Sequence, residues 1–302
     1  MPSNISHISG LTLWEWRSQS KKSALAADVS PGEVDWLLQA LTGLDRLSLQ
    51  LGSFKAQDVN LKVSFLELQQ LWQKRLKDRV PVQYLVGSTP WRKFTLKVSP
   101  AVLIPRPETE ELIDWAIAAA RSDSALQTGH WADLGTGSGA IAIGLADALP
   151  NATIHAVDQS HEALAIAQYN AQNLGLSDRI QFYQGSWLEP LNFLKGKLAG
   201  LVSNPPYIPS QTVLELEPEV VNHEPHLALD GGADGLDCIR HLIKTAPDYL
   251  QPGGVWMIEM MAGQANLVTD LLKQQKRYDR IITHRDLAGL ERFTIAYLKP
   301  VS

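Results

Sequence analysis

The run Asp133-Leu134-Gly135-Thr136-Gly137-Ser138-Gly139-Ala140 constrains this chain more than any other. It stands between His130-Trp131-Ala132-Asp133-Leu134, which reads as a strand, and residues 140–149, a stretch of small apolar residues that reads as a helix. Three glycines at alternate positions fit where a backbone turns tightly from strand to helix, or comes close to a ligand. The surrounding pattern agrees. Strands are expected at 153–157, 180–183, 198–202, 255–259 and 293–298, and helices at 110–120, 140–149 and 162–174. That βαβ rhythm predicts an α/β fold, a mainly parallel, doubly wound sheet with helices on both faces, whose ligands sit at the carboxyl ends of the strands. The sequence holds no internal repeat and no low-complexity segment.

Asp158 ends the next expected strand, where a carboxylate can accept hydrogen bonds from both hydroxyls of a ribose. Two nucleotide chemistries fit this much. Gly135, Gly137 and Ala140 satisfy the G-x-G-x-x-G/A dinucleotide pattern. The fuller Asp-Leu-Gly-Thr-Gly-Ser-Gly resembles the first motif of the S-adenosylmethionine-dependent methyltransferases, whose cofactor lacks a pyrophosphate and places its methionine end at the loop.

Asn204-Pro205-Pro206-Tyr207 tips the balance. It follows the apolar run 198–202, and its two prolines lack backbone N–H groups, so a paired strand cannot continue through it. A rigid turn at a strand end fixes a carboxamide, bare carbonyls and an aromatic ring in one place. The Asn204 amide and the Pro205 carbonyl can accept the two protons of a planar NH2 group while Tyr207 packs against its face. The tetrapeptide resembles the fourth motif of methyltransferases that act on such groups and has no evident job in hydride transfer. Adenine N6, cytosine N4 and the glutamine side-chain amide all fit.

The amino-terminal part reads as helical. Ser30-Pro31-Gly32-Glu33 and Ser64-Phe65-Leu66-Glu67 are capping-box patterns, each followed by apolar residues spaced for one helix face. Glycine and proline cluster from Pro81 to Pro107, with extended pieces expected around Tyr84-Leu85-Val86 and Phe94-Thr95-Leu96. The expected division is a helical domain at 1–80, a hairpin linker at 81–105 and an α/β domain at 106–302. No apolar run reaches the ~20 residues that span a bilayer. Met1-Pro2-Ser3-Asn4-Ile5-Ser6 lacks the basic-then-apolar order of a signal peptide, and Cys238 is the single cysteine. A cytoplasmic protein without a metal site or membrane partner is expected. A formal net charge of −5 argues against a large nucleic-acid footprint. The histidines are scattered without ligand spacing, the tryptophans other than Trp187 fall at apolar positions, and the glycines 231, 232 and 235 read as a turn near the substrate mouth.

A wider resemblance narrows the substrate. Ile104-Pro105-Arg106-Pro107-Glu108-Thr109-Glu110, Pro81-Val82-Gln83-Tyr84-Leu85-Val86-Gly87 with Phe94, Glu224-Pro225 with Ala228-Leu229, Gly231-Gly232-Ala233-Asp234-Gly235 and Asp286-Leu287-Ala288-Gly289-Leu290-Glu291-Arg292 are together similar to the HemK/PrmC family. These are glutamine N5-methyltransferases of peptide chain release factors. The resemblance covers nearly the whole chain, most loosely the first eighty or so residues, and the Arg-Pro-Glu-Thr-Glu segment separates this branch from enzymes that methylate a ribosomal protein glutamine. It implies a class I, seven-stranded methyltransferase domain, S-adenosylmethionine as cofactor, and the glutamine of the Gly-Gly-Gln loop in class-I release factors as substrate. It further implies that Gly135, Thr136, Gly137, Ser138 and Gly139 wrap the cofactor, that Asp158 holds its ribose and that Trp187 packs near its adenine. Asn204 touches cofactor and substrate, while Pro205, Pro206 and Tyr207 frame the glutamine amide. Asn204, Pro205 and Tyr207 are thus the expected catalytic set, holding both N–H bonds so that the nitrogen lone pair faces the sulfonium methyl. The helical domain helps to grip the release factor, and a monomer is expected. Ser186, His223 and Met261 depart from the family pattern, which usually has an acidic residue, Phe and glycine there. The alternatives are an adenine-N6 nucleic-acid methyltransferase, a ribosomal-protein glutamine methyltransferase, and a chain that binds cofactor without catalysis.

Overall fold

Strands His130–Leu134 and Leu198–Ser203 lie side by side in a seven-stranded sheet, in a computed structural model that describes residues 6–300. The leader expectation rests on Met1 to Ser6, of which Met1 to Ile5 lie outside the described residues. Across the sheet the strands run Tyr278–Arg285, Glu291–Leu298, Leu250–Glu259, Leu198–Ser203, His130–Leu134, Thr153–Asp158 and Ile180–Gln184. The last five are mutually parallel, and Glu291–Leu298 runs antiparallel to both of its neighbours. The chain reverses its direction of winding between His130–Leu134 and Leu198–Ser203, so the crevice at their carboxyl ends is the place where such sheets bind ligands. Leu134 pairs with Ser203, and the Ser203 hydroxyl donates to the Leu134 carbonyl at 2.7 Å. The glycine loop and the Asn-Pro-Pro-Tyr turn therefore leave neighbouring strands at one level.

The central strands are legible because both of their faces are covered. All six residues of Leu198–Ser203 are buried. Gly200 permits the closest approach: a Cβ there would stand 2.2 Å from the ring of Trp131, which is fully buried on the adjacent strand. The edge strand Tyr278–Arg285 carries no such apolar run. Only Tyr278 is buried in it, the rest being half-buried or exposed; it is interrupted by a bulge between Asp279 and Ile282 and is not anticipated by the strand pattern.

Contacts divide the chain into two units: residues up to Gly87 together with Pro218–His223, and Ser88–Glu217 with the residues from Glu224 onward. The stretch 81–105 is therefore itself divided. Tyr84-Leu85-Val86 is not extended: Val82–Val86 is a short helix closed by Gly87 in the left-handed region at φ 77°, and the hairpin is formed by Ser88–Trp91 with Phe94–Lys97. The pattern misleads there because Val and Tyr favour strands, whereas Pro81 before and Gly87 after the segment set its backbone.

The first unit builds its core from Leu37, Leu38, Phe54, Leu68 and Trp72. Ser64 forms its capping box with Glu67 at the head of Phe65–Lys77. The corresponding box at Ser30 does not form. Glu33 instead accepts from Arg75 Nη2 at 2.9 Å, an ion pair that draws it away from the backbone of Gly32–Thr42. Arg75 also pairs with Glu219 at 2.8 Å and Arg79 pairs with Glu219 at 2.7 Å, so Pro218–His223 is joined to this unit by side chains that are largely buried.

Candidate active site

Asp133 sits at zero exposure beneath the glycine loop. Its Oδ2 accepts from the Thr136 hydroxyl at 2.6 Å and from the Ala142 N–H at 2.9 Å, while Oδ1 is buried with no hydrogen-bond partner. Burial, opposed by those bonds and reinforced by the Asp158 charge, pushes its carboxyl up to about 7. The Gly135 and Thr136 N–H groups both donate to the Val157 carbonyl at 2.9 and 3.0 Å, which ties the loop to the neighbouring strand. Gly137 turns at φ 54° with nothing within 4 Å of where a Cβ would stand. Asp158 Oδ2 accepts from the Gly137 N–H at 2.8 Å and Oδ1 from the Ser160 N–H at 2.9 Å. The Gln159 N–H also bears on this carboxylate, and burial, the largest influence, raises the carboxyl above its ordinary range.

These residues open onto a cavity of about 410 Å³ lined by Gly135, Gly137, Asp158, Trp187, Asn204 and Pro206, among others. Leu103, Pro225 and Leu227 form part of its apolar wall, and Ser186 also lines it. Trp187 holds a left-handed φ of 49°, a rare state for an aromatic residue, and its ring comes within 3.8 Å of the position a Gly135 Cβ would take. Thr136, Ser138 and Gly139 do not line the cavity. Thr136 holds Asp133, the Ser138 carbonyl accepts from Asn170 at 2.9 Å, and Gly139 lets the loop pack on Ala167. They support the loop from behind.

On the neighbouring strand end, Asn204 Nδ2 donates to Thr109 Oγ1 at 3.2 Å. Thr109 in turn donates to Glu259 Oε2 at 2.7 Å, and the Tyr207 hydroxyl donates to Glu259 Oε1 at 3.1 Å. Burial is the largest influence on Glu259 and pushes its carboxyl up to about 7; burial and the adjacent Glu259 charge also raise the Tyr207 hydroxyl above its ordinary range. The backbone of the turn is clamped as well. Gln264 Nε2 donates to the Tyr207 carbonyl at 3.0 Å, and the Gly231 N–H donates to the Ile208 carbonyl at 2.8 Å. A Cβ on Gly235 would lie 2.3 Å from the Tyr207 carbonyl, so this glycine cluster is a close brace on the turn. Pro205 and Tyr207 lie outside the cavity lining, adjoining Asn204 and Pro206, which are inside it.

Arg106 is salt-bridged: it donates to Glu224 Oε1 at 2.7 Å, and Glu224 Oε2 accepts from the Ile104 N–H at 3.3 Å. Met261 is absent from the residues with positive φ, so its backbone has no need of the glycine expected there. His223 Nε2 meets the Asp78 carbonyl at 2.6 Å within the first unit.

A family model described as the methyltransferase small domain matches residues 120–232. The chain is 50% identical over 297 residues to the release factor glutamine methyltransferase of Synechocystis sp. (strain ATCC 27184 / PCC 6803 / Kazusa), covering 97% of this chain and 98% of that protein. The chain belongs to the release factor glutamine methyltransferase family. The family member from Thermosynechococcus vestitus is 49% identical, covering 96% of this chain and 99% of that protein. Among solved structures, the hMettl16 catalytic domain in complex with the MAT2A 3'UTR hairpin 6 is similar with a TM-score of 0.53 at 15% identity, covering 78% of this chain and 81% of that one. That likeness shows the class I methyltransferase fold.

The residues at the site suit the cofactor that such methyltransferases use. Gly137 leaves open space, Asp158 offers two acceptors for paired hydroxyls, and Trp187 offers a flat apolar wall. Thr109, Glu259 and Gln264 brace the 204–207 turn by hydrogen bonds that the sequence motifs do not foretell. Glu259 does leave a trace in sequence: a lone acid closing the apolar run 255–258, at the carboxyl end of a parallel strand.

Proposed function

We propose that this family member transfers a methyl group from S-adenosylmethionine to the side-chain amide nitrogen of the glutamine in the Gly-Gly-Gln loop of class-I peptide chain release factors, in the cytoplasm. One observation carries the reading: Asn204, from the turn suited to a planar NH2 group, lines the same cavity as Gly135, Gly137 and Asp158. The names of the relatives supply the acceptor.

S-adenosylmethionine, when bound, supplies an electrophilic methyl on a sulfonium. Gly135, Gly137, Asp158 and Trp187 bind it, with Thr136, Ser138 and Gly139 holding the loop in shape. An amide nitrogen is a poor nucleophile because its lone pair is delocalised into the carbonyl. Asn204 Oδ1 and the Pro205 carbonyl accept its two N–H bonds and fix the direction of that lone pair. Such positioning can supply about 7–11 kcal/mol of a barrier in favourable cases. The same acceptors stabilise positive charge developing on nitrogen. Tyr207, held through its hydroxyl, offers its ring to the planar amide. No side chain acts as a strong base, and the proton leaves to water after transfer.

The test is incubation with labelled S-adenosylmethionine and, separately, a release factor, its Gln→Ala variant and DNA. Label in the release factor alone is expected. Asn204→Ala is expected to abolish labelling while its thermal transition stays cooperative. Label in DNA, equal label in the Gln→Ala variant, or normal turnover by Asn204→Ala overturns the reading.

A further inference from the structure

We propose that Thr109 and Glu259 are positioning residues for methyl transfer, turning the Asn204 carboxamide so that its oxygen faces the substrate. The proposal rests on the function proposed above and names two residues that act through Asn204.

The direction of each hydrogen bond carries the inference. Glu259 ends the buried strand Leu250–Glu259 and is 1% exposed. As a carboxylate it can only accept, so the hydroxyls of Thr109 (2.7 Å) and Tyr207 (3.1 Å) must both donate to it. Thr109 is itself buried, and its single hydroxyl proton is spent on Glu259. Toward Asn204, at 3.2 Å, its oxygen can then only accept. Asn204 must therefore turn its NH2 to Thr109 and its Oδ1 the other way. A flipped amide would bring two acceptors face to face in a buried place, an arrangement the low local dielectric penalises. Oδ1 outward is the orientation that a substrate N–H requires. Glu259 so fixes the amide of Asn204 from two hydrogen bonds away, and by its other oxygen anchors the ring of Tyr207.

The charge state of Glu259 matters because a protonated carboxyl can donate to Thr109 and release this constraint. Burial raises that carboxyl to about 7, with the Thr109 and Tyr207 bonds and the Arg292 charge opposing the rise and Glu108 adding to it. Around this cluster, Arg292 on the neighbouring strand is paired with Asp286 at 2.7 Å, and Arg106 bears on Tyr207.

The experiment is steady-state kinetics on the full-length enzyme with a release factor as substrate, for the wild type, Thr109→Val, Thr109→Ser and Glu259→Gln, from pH 5.5 to 8.5. Wild-type turnover tests the functional reading; the variants test only the positioning role. Thr109→Val keeps the shape of the side chain and is expected to lower kcat at least tenfold, with KM for the release factor within twofold. Thr109→Ser restores kcat because it restores the hydroxyl. In the wild type kcat is expected to rise with pH as Glu259 loses its proton, at about 7. Glu259→Gln removes that rise, since a glutamine with Oε1 toward Thr109 keeps the chain to Asn204 and does not titrate. A Thr109→Val enzyme with kcat within twofold of the wild type, or an acid limb of the same midpoint and depth in the wild type and Glu259→Gln, overturns the proposal.

Discussion

Tyr207 shows how a residue named by its motif depends on one that is not. The motif gives the ring its place, but the hydroxyl belongs to a buried carboxylate, Glu259, that lies 52 residues away in sequence. Tyr207→Phe keeps the ring and takes one donor from Glu259. Leaving a buried acceptor short of a partner costs about 1–3 kcal/mol. Tyr207→Phe is thus expected to lower the melting temperature yet to retain more methyl transfer than Tyr207→Ala, which loses ring and hydroxyl together. Turnover and thermal melts on the two variants check this; equal loss of turnover would show that the hydroxyl rather than the ring matters. The contiguous strings, residues 133–139 and 204–207, were readable because the chemistry needs those groups next to one another. Thr109 and Glu259 reach the site from distant parts of the chain, and each alone looks like an ordinary polar residue.

At the level of the elements, the glycine loop serves two masters. Gly137 and Gly139 both hold positive φ, 54° and 83°, and an alanine at either pays roughly 1–2 kcal/mol for the left-handed backbone. Their surroundings differ. A Cβ on Gly139 would meet the Ala167 Cβ at 3.0 Å and its Cα at 3.2 Å, so the helix His161–Asn173 would have to shift. A Cβ on Gly137 meets nothing within 4 Å and stands at the wall of the cavity. Gly139→Ala is expected to be the less stable protein by chemical denaturation. Gly137→Ala is expected to unfold nearer the wild type but to bind S-adenosylmethionine roughly tenfold more weakly by calorimetry, about 1.4 kcal/mol. The reverse ranking would contradict this division of labour. The central strands were legible for a simple reason: they are buried on both faces and so apolar throughout. Tyr278–Arg285, a bulged edge strand, carries no such signature, and Val82–Val86 is a helix made of strand-favouring residues between a proline and a glycine.

For the whole molecule, pH acts through buried groups shifted in opposite directions. Burial raises Asp133 from 3.8 to about 7. A folded state that holds a proton the unfolded chain releases is stabilised below the unfolded value, and that stability is lost as pH rises through the folded one. His155 is lowered from 6.5 to about 4, first by burial and then by the neighbouring His130. Its contribution is present above 6.5 and is lost as pH falls toward 4. The carboxyls that their partners lower, such as Asp35 beside Arg17 and Lys21, act below about 4 and leave the middle range to the buried groups. Asp133→Asn cannot titrate. The stability of the wild type relative to this variant is expected to fall between pH 4 and pH 7, and denaturation at a series of pH values measures that difference. A constant difference would show that Asp133 keeps an ordinary carboxyl. Nothing in the local sequence announces such shifts, because burial is a property of the assembled sheet.

The helix Pro218–His223 sets an order of events during synthesis. Its Glu219 is the partner of Arg75 and Arg79, so the first unit cannot complete that ion-pair cluster until the intervening residues 88–217 have been made. At about 5–20 residues per second, those residues, some 130 of them, take roughly 7–26 s. Through that interval the nascent helical unit carries two arginines without Glu219 and is expected to be its most protease-sensitive. Ribosome-bound chains halted before and after residue 223 has left the exit tunnel should differ sharply in limited proteolysis of residues 65–77. Equal protection in both would mean that the amino-terminal unit closes without waiting for the helix that follows the Asn-Pro-Pro-Tyr turn.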